Sequence, residues 1–380
     1  MKTNRFLLAA IFGFALSLTF SCSSGGGDDN NSNSSVQGVS SSEHSSSSDV
    51  LASSSSGLSV KGPVSYYGKL QASGKNIVGS KTGSTAVQVR GVSLGWSNTG
   101  WSSAKFFNAT TVNAMVDGWK AEIIRVPMGY ANIGDEQYYG SYLDDKTGNM
   151  NRVKAAIDAA IAKDIYVIID WHSHKFNQAD ASAYFEEMAK TYGSYPNVIF
   201  EIFNEPLPEA AWSSIKSYAT EVIKSIRKYS TNLVLVGTPS WDQEVDVVVG
   251  SALTADNVAY VLHFYANHSF RELSSRINNV RSAGYPVFVS EYGTADSDGV
   301  GPHNASVSDT WMSFLNSNNI SYCAWMVNNI AEVLSFFKTT FPSANAEWAN
   351  TSNMTASGQY IYNNLVSWSS QAPWRGGSGN

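Results

Sequence analysis

Apolar residues come in short runs that begin near residue 87 and recur almost to the end of the chain. The runs cover 87–94, 122–128, 165–170, 198–203, 233–237, 258–264, 287–290 and 320–325, eight segments of strand length. Their near-continuous hydrophobicity suits parallel strands covered on both faces rather than strands with one wet face. Between them lie segments of helical character at 109–119, 152–163, 181–191, 210–228, 272–283, 308–317 and 356–367. The period is clearest in 152–163, where Val153, Ala156, Ile157, Ala160 and Ile161 share one face. Strands alternating with helices predict parallel βαβ units. Eight of them closing on themselves give an α/β fold of the (β/α)8 TIM-barrel type. The fifth link is the thinnest, since 245–252 predicts only a short helix. An open doubly wound sheet is the alternative topology, but no Gly-rich phosphate loop follows the first strand.

The ends of the chain follow other rules. Lys2 and Arg5 precede an apolar run that closes at Ser21-Cys22, so 1–22 is expected to be a lipoprotein-like signal peptide with Cys22 as its lipid-carrying residue. Ordinary secretion with cleavage nearby is the alternative. Residues 23–60 are dominated by Ser, Gly, Asn and Asp, too little to bury, and are expected to form a flexible linker. The segments 64–70 and 82–85 predict a short β-hairpin extension closing one end of the domain. The catalytic-size domain is expected over 61–371, with a flexible tail at 372–380.

Composition narrows the function. A chain of 380 residues, 43% hydrophobic and 15% charged, has material for one large core. The net charge of -6, without a basic cluster, argues against a nucleic-acid partner. Cys22 and Cys323 form neither a disulfide framework nor a metal cluster, and no metal or cofactor is expected. Eleven Trp and 19 Tyr offer flat faces that suit the C–H faces of sugar rings as well as a core.

In a barrel of this type, residues just past each strand share one rim. That rim collects Ser93 and Trp96, Arg125, Asp170-Trp171-His172-Ser173-His174, Asn204-Glu205, Thr238 and Trp241, His263 and Tyr265, Glu291, and Trp325. Two apolar strands, the fourth and the seventh, therefore end in glutamates on opposite sides of one opening. Two carboxylates beside tryptophans fit glycosidic bond cleavage, one protonating the leaving oxygen while the other stabilises or attacks the anomeric carbon. Bonds from Arg125 and Tyr265 would keep an attacking carboxylate ionised, and a less polar setting would raise the acid. A barrel retaining only carbohydrate binding would have no need of both carboxylates.

Taken together, Arg125 in IIRVPM, Asp170-Trp171-His172 in VIIDWH, Asn204-Glu205 in IFEIFNEP, His263 and Tyr265 in VLHFY, Glu291 in VFVSEYG and Trp325 in CAWM resemble glycoside hydrolase family 5 of the retaining clan A. The resemblance spans roughly 64–370. It is nearest to bacterial cellulases through VIIDWHSH and YPNVIFEIFNEP. It implies a retaining endo-β-1,4-glucanase acting on a β-glucan polysaccharide, with mannan, licheninan, xyloglucan or xylan as alternative substrates. It further implies Glu205 as acid/base, Glu291 as nucleophile and Asn204 on the sugar 2-hydroxyl. Arg125 and Tyr265 would orient Glu291, His263 would tune Glu205 or the leaving group, and His172 and Trp325 would line the −1 subsite. Trp96, Trp101 and Trp241 are candidate stacking residues. Two departures stand out: Ser93-Leu94-Gly95-Trp96-Ser97 lacks a histidine some relatives carry, and Met326-Val327-Asn328-Asn329 lacks a lysine. A monomer, exported as a cell-envelope lipoprotein or secreted, completes the expectation.

Overall fold

The computed structural model describes residues 61–131, 139–344 and 346–376. The expected signal peptide, Cys22 and the linker lie outside the described residues. A single helical turn (Pro63–Tyr67) leads into the antiparallel hairpin β1 (Leu70–Ser73) and β2 (Asn76–Gly79). The barrel strands are β3 (Arg90–Leu94), β4 (Ile123–Gly129), β5 (Tyr166–His172), β6 (Val198–Glu201), β7 (Val234–Val236), β8 (Val258–Val261), β9 (Val287–Tyr292) and β10 (Tyr322–Val327). They are all parallel and close in the order β10-β3-β4-β5-β6-β7-β8-β9. This is a (β/α)8 TIM barrel preceded by a short hairpin.

Period two along these strands builds the site. One row of side chains, including Ile124, Val126, Val167, Ile169, Phe200 and Val289, packs outward in a large core with the helices. The other row faces the axis: Ile123, Ile168, Ile199, Val261, Phe288 and Cys323 form an apolar plug, continuous with Val64, Leu70 and Ile77 of the N-terminal extension. Two residues further along those inward rows stand Arg125, Asp170, Glu201, His263, Ser290 and Trp325. An apolar floor thus gives way to a polar layer at one level of the barrel.

Glu291 does not obey that alternation, and a β-bulge explains it. Val289 pairs with Tyr322 while Tyr292 pairs with Ala324, so three steps on β9 match two on β10. Val289 and Tyr292 both lie in the outer core, which leaves Ser290 and Glu291 together on the inner side. β10 shows the same device against β3, where Ala324 and Val327 pair with Val92 and Leu94 and two inner residues, Trp325 and Met326, lie between.

Helices Ala109–Asp117, Lys146–Ala162, Gln178–Tyr192, Trp212–Arg227, Phe270–Ser282, Ala305–Ser317 and Ala356–Ser369 alternate with the strands. The helix expected from 152 starts at Lys146, because Asp145 accepts from the Gly148 N–H and caps a first turn of weak helix formers. Between β7 and β8 there is only a four-residue turn, Pro239–Asp242, and a 3-10 turn, Val245–Val248. Two expectations need correction. The strand read at 64–70 is mostly the helical turn, since Pro63 starts it and Gly68, at φ 73, ends it; the hairpin forms just beyond, turning at Gly74 with φ 54. The tail expected to be free from 372 is tied down as far as Trp374, whose indole N–H donates to Glu122 at 2.7 Å, while Arg375 and Gly376 are exposed.

Candidate active site

Arg125 is the hub of the polar layer. Its guanidinium is fully buried and reaches four groups: Nε donates to Glu201 at 2.7 Å, Nη1 to Glu291 at 2.6 Å, and Nη2 to Asn204 and, at 2.9 Å, to Asp170. A planar fork with five donors is the side chain suited to such divergent acceptors. Burial opposes its charge, but Asp170, Glu201 and Glu291 outweigh that and push Arg125 well above its ordinary range.

Glu291 accepts from Arg125 through Oε2 and from the Tyr265 hydroxyl through Oε1. Glu205 approaches from the other side, with Oε1 3.0 Å from His263 Nδ1. Its side chain is 14% exposed, against 5% for Glu291, so it is the more open of the pair. Oxygen atoms of Glu205 and Glu291 and a nitrogen of His263 all lie within 4.8 Å of one another. Spacing alone would also suit a small cation, but Arg125 already brings positive charge against Glu291. His263 is fixed from behind: Nε2 lies 3.0 Å from Ser290 Oγ, and the Ser290 hydroxyl donates to Glu201. With that hydroxyl committed to a carboxylate, Nε2 must be the donor to Ser290.

The electrostatics run opposite to the sequence expectation. Burial pushes Glu205 up, but the bond and charge of His263, with His174 and Arg125, prevail and hold it below the ordinary carboxylate range. Glu291 stands above that range, because burial, aided by the Glu205 charge, outweighs Arg125, His263 and the Tyr265 bond. Burial also opposes charge on His263, yet Asp242, Glu201, Glu205 and Glu291 together raise it well above its usual value.

The remaining expected residues line the opening. His172 Nδ1 lies 2.7 Å from Asp170, and its ring is stacked on Trp325 at 5.6 Å between centroids and 7° between planes. Burial, then the charges of Arg125, His174 and His263, push His172 well below its usual value, which favours the neutral ring. Trp96 and Trp101 stack at 5.2 Å and 8°, and His174 lies over the other side of this group. Trp241 is half-buried on the turn after β7, bonded through its backbone N–H to Pro206, and makes no ring contact with that platform. Sequence reasoning missed Glu201, Ser290 and Asp242. The first two carry a legible signal, being polar residues two positions past an inward apolar one.

A family model described as Cellulase (glycosyl hydrolase family 5) matches residues 72–330. The chain is 40% identical over 300 residues to Endoglucanase Z of Dickeya dadantii (strain 3937), covering 78% of this chain and 66% of that protein. To Cellulase CelDZ1 of a Thermoanaerobacterium species it is 30% identical over 320 residues, covering 77% and 79%. The chain spans slightly less than two thirds of Endoglucanase Z and of the Clostridium saccharobutylicum endoglucanase. Among solved structures, the catalytic domain of the Thermobifida fusca endoglucanase Cel5A superposes with a TM-score of 0.73 at 28% identity, covering 80% of this chain and 99% of that one. A variant of that domain is known in complex with cellotetraose. The chain belongs to the cellulase family, glycosyl hydrolase family 5.

Proposed function

We propose that the chain is a retaining endo-β-1,4-glucanase that hydrolyses cellulose and related β-glucans by double displacement. The observation that carries this reading is the close approach of Glu205 and Glu291. Oxygens within 4.8 Å accord with the roughly 5–5.5 Å between carboxyl groups of retaining enzymes, whereas inverting pairs stand about 6.5–9.5 Å apart to admit a water. Glu291, oriented by Arg125 and Tyr265, attacks the anomeric carbon as Glu205 gives its proton to the departing glycosidic oxygen. Glu205 then removes a proton from the water that releases the sugar, and two inversions restore the starting configuration. Asn204 has its Oδ1 held by Arg125, which leaves its NH2 group to donate to the sugar 2-hydroxyl. His172 and Trp325 line the −1 subsite, and Trp101, backed by the buried Trp96, is the stacking candidate beyond it. The cellotetraose complex of the related Thermobifida domain supports a β-1,4-linked glucan as the ligand class.

The test is Glu205→Gln and Glu291→Gln, assayed for reducing-sugar release on carboxymethylcellulose, lichenan, glucomannan and xylan. Each variant is expected to fold, to retain oligosaccharide binding and to lose nearly all turnover, with β-glucans the preferred polymers of the parent. Normal turnover in either variant refutes the mechanism, and preference for mannan or xylan refutes the substrate assignment. We further propose that the chain is exported as a monomer and anchored through lipid on Cys22. A Cys22→Ala chain should then fractionate as soluble, and unchanged membrane association would remove that assignment.

A further inference from the structure

Asp242 is a carboxylate for which the proposed reaction has no use. It is fully buried, and Oδ2 has no hydrogen-bond partner, while Oδ1 accepts the backbone N–H of Thr238. It reaches this position because Ser240, Trp241 and Asp242 all adopt left-handed backbone, with φ of 58°, 54° and 61°, a conformation side-chain-bearing residues rarely take even singly. The backbone carbonyl of Asp242 also accepts the His263 N–H at 3.2 Å, which ties the turn to β8.

The unpartnered Oδ2 faces His263 Nδ1 at 3.4 Å, the nitrogen that Glu205 Oε1 approaches at 3.0 Å. Nε2 on the far side is committed as donor to Ser290. Three acceptor atoms, Glu205 Oε1, His263 Nδ1 and Asp242 Oδ2, therefore share one small space, and at least one proton must lie among them. With only Glu205 there, the imidazolium would be neutralised by ionising Glu205, and the acid proton would be lost. A second carboxylate changes that balance. Asp242 and His263 holding one proton between them form a neutral pair, whichever atom carries it, and Glu205 is released from the duty of counter-ion.

We propose that Asp242, acting through His263, sets the pH range over which Glu205 keeps its acid proton, a positioning role that rests on the reaction proposed above. Other charges bear on the same imidazole: Glu201 at 3.8 Å on β6, Glu291 on β9, and Asp170 and His172 on β5, with His174 and Arg125 acting on Glu205. All of these stay in place when Asp242 alone is changed. Burial, aided by the charges of Glu205 and Glu201, pushes Asp242 well above the ordinary carboxylate range despite His263 and the Thr238 bond, so Asp242 is a proton-sharing member of this group, and replacing it with a neutral side chain lowers the proton affinities that remain.

The test compares pH profiles of kcat and KM for the wild type and for Asp242→Asn and Asp242→Ser, both of which retain an acceptor for the Thr238 N–H. The alkaline limb of kcat is expected to move about one unit toward acid, equivalent to about a tenfold loss above the limb, with KM unchanged. An unmoved limb, or a rise in KM with constant kcat, overturns the proposal. If neither variant folds, imidazole nitrogen shifts of His263 in the Glu205→Gln protein decide it. With Asp242 as the remaining carboxylate on Nδ1, that nitrogen should stay protonated or hydrogen-bonded through neutral pH, and a free, unprotonated Nδ1 at pH 6 overturns it. Failure of the glucanase reading is separate, since it would leave Glu205→Gln active.

Discussion

Arg125→Lys keeps the charge at the centre of the barrel and removes its shape. The guanidinium serves Glu201, Glu291, Asn204 and Asp170 from three nitrogens pointing in different directions. An ammonium is a single point on a stem that reaches less far, and cannot be close to Glu201 and Glu291 at once. If two of the four contacts are lost, at about 1.5–3 kcal/mol for each hydrogen bond to a charged group, the variant is less stable by about 3–6 kcal/mol. Glu201 and Asp170 are fully buried, so solvent cannot replace the bonds they lose. Losing the contact to Glu291 also frees the attacking carboxylate, and one such bond corresponds to about a 10- to 100-fold fall in kcat. Guanidinium denaturation followed by tryptophan fluorescence measures the first quantity, and release of an aryl group from an aryl β-cellobioside the second. A variant within about 1 kcal/mol of the wild type and within a factor of about two in kcat would refute the idea that the fork, rather than the charge, organises the site.

Two further outcomes follow from groups outside the hub. Burial, with a smaller contribution from the Glu291 charge, pushes the Glu332 carboxyl up to about 7 from an ordinary 4.5. The folded protein thus holds a proton the unfolded chain gives up, so this group's stability contribution is complete below the ordinary carboxylate range and is lost as pH rises to about 7. Glu332→Gln should flatten the decline in urea midpoint between pH 5 and pH 8, and equal slopes in the two proteins would contradict this. Gly91 sits where β3 and β4 press together: a Cβ there would lie 1.8 Å from the Ile123 carbonyl oxygen, which is backbone and cannot swing aside. Gly91→Ala should therefore lose about 3 kcal/mol or more, read by thermal unfolding, whereas a wild-type melting temperature would mean the strands part easily.

The residues of the polar layer show why some of this site was legible and some was not. Arg125, His263 and Trp325 stand two places beyond an inward apolar residue, so the same alternation that predicts the strands also predicts where these side chains point. Glu201 and Ser290 obey that rule as well, but each lies within its apolar run rather than after it, so strand ends alone do not reveal them. Glu291 was found by its place after an apolar run, yet its inward aim depends on an extra residue in β9 that no periodicity announces.

Asp242 is the extreme case. Its segment, Pro239-Ser240-Trp241-Asp242, draws the eye to the tryptophan as a surface for sugar, and the left-handed backbone instead delivers the aspartate to the His263 imidazole. Local preference argues against three successive left-handed residues without glycine, so the turn must be maintained by what surrounds it: the Trp241 N–H on Pro206, the Asp242 carboxylate on Thr238 and the Asp242 carbonyl on His263. Two of those three bonds belong to the aspartate. The residue that breaks the local rule is thus also the one that secures the break, which is the pattern expected when a backbone conformation is retained for the position of one side chain rather than for the path of the loop.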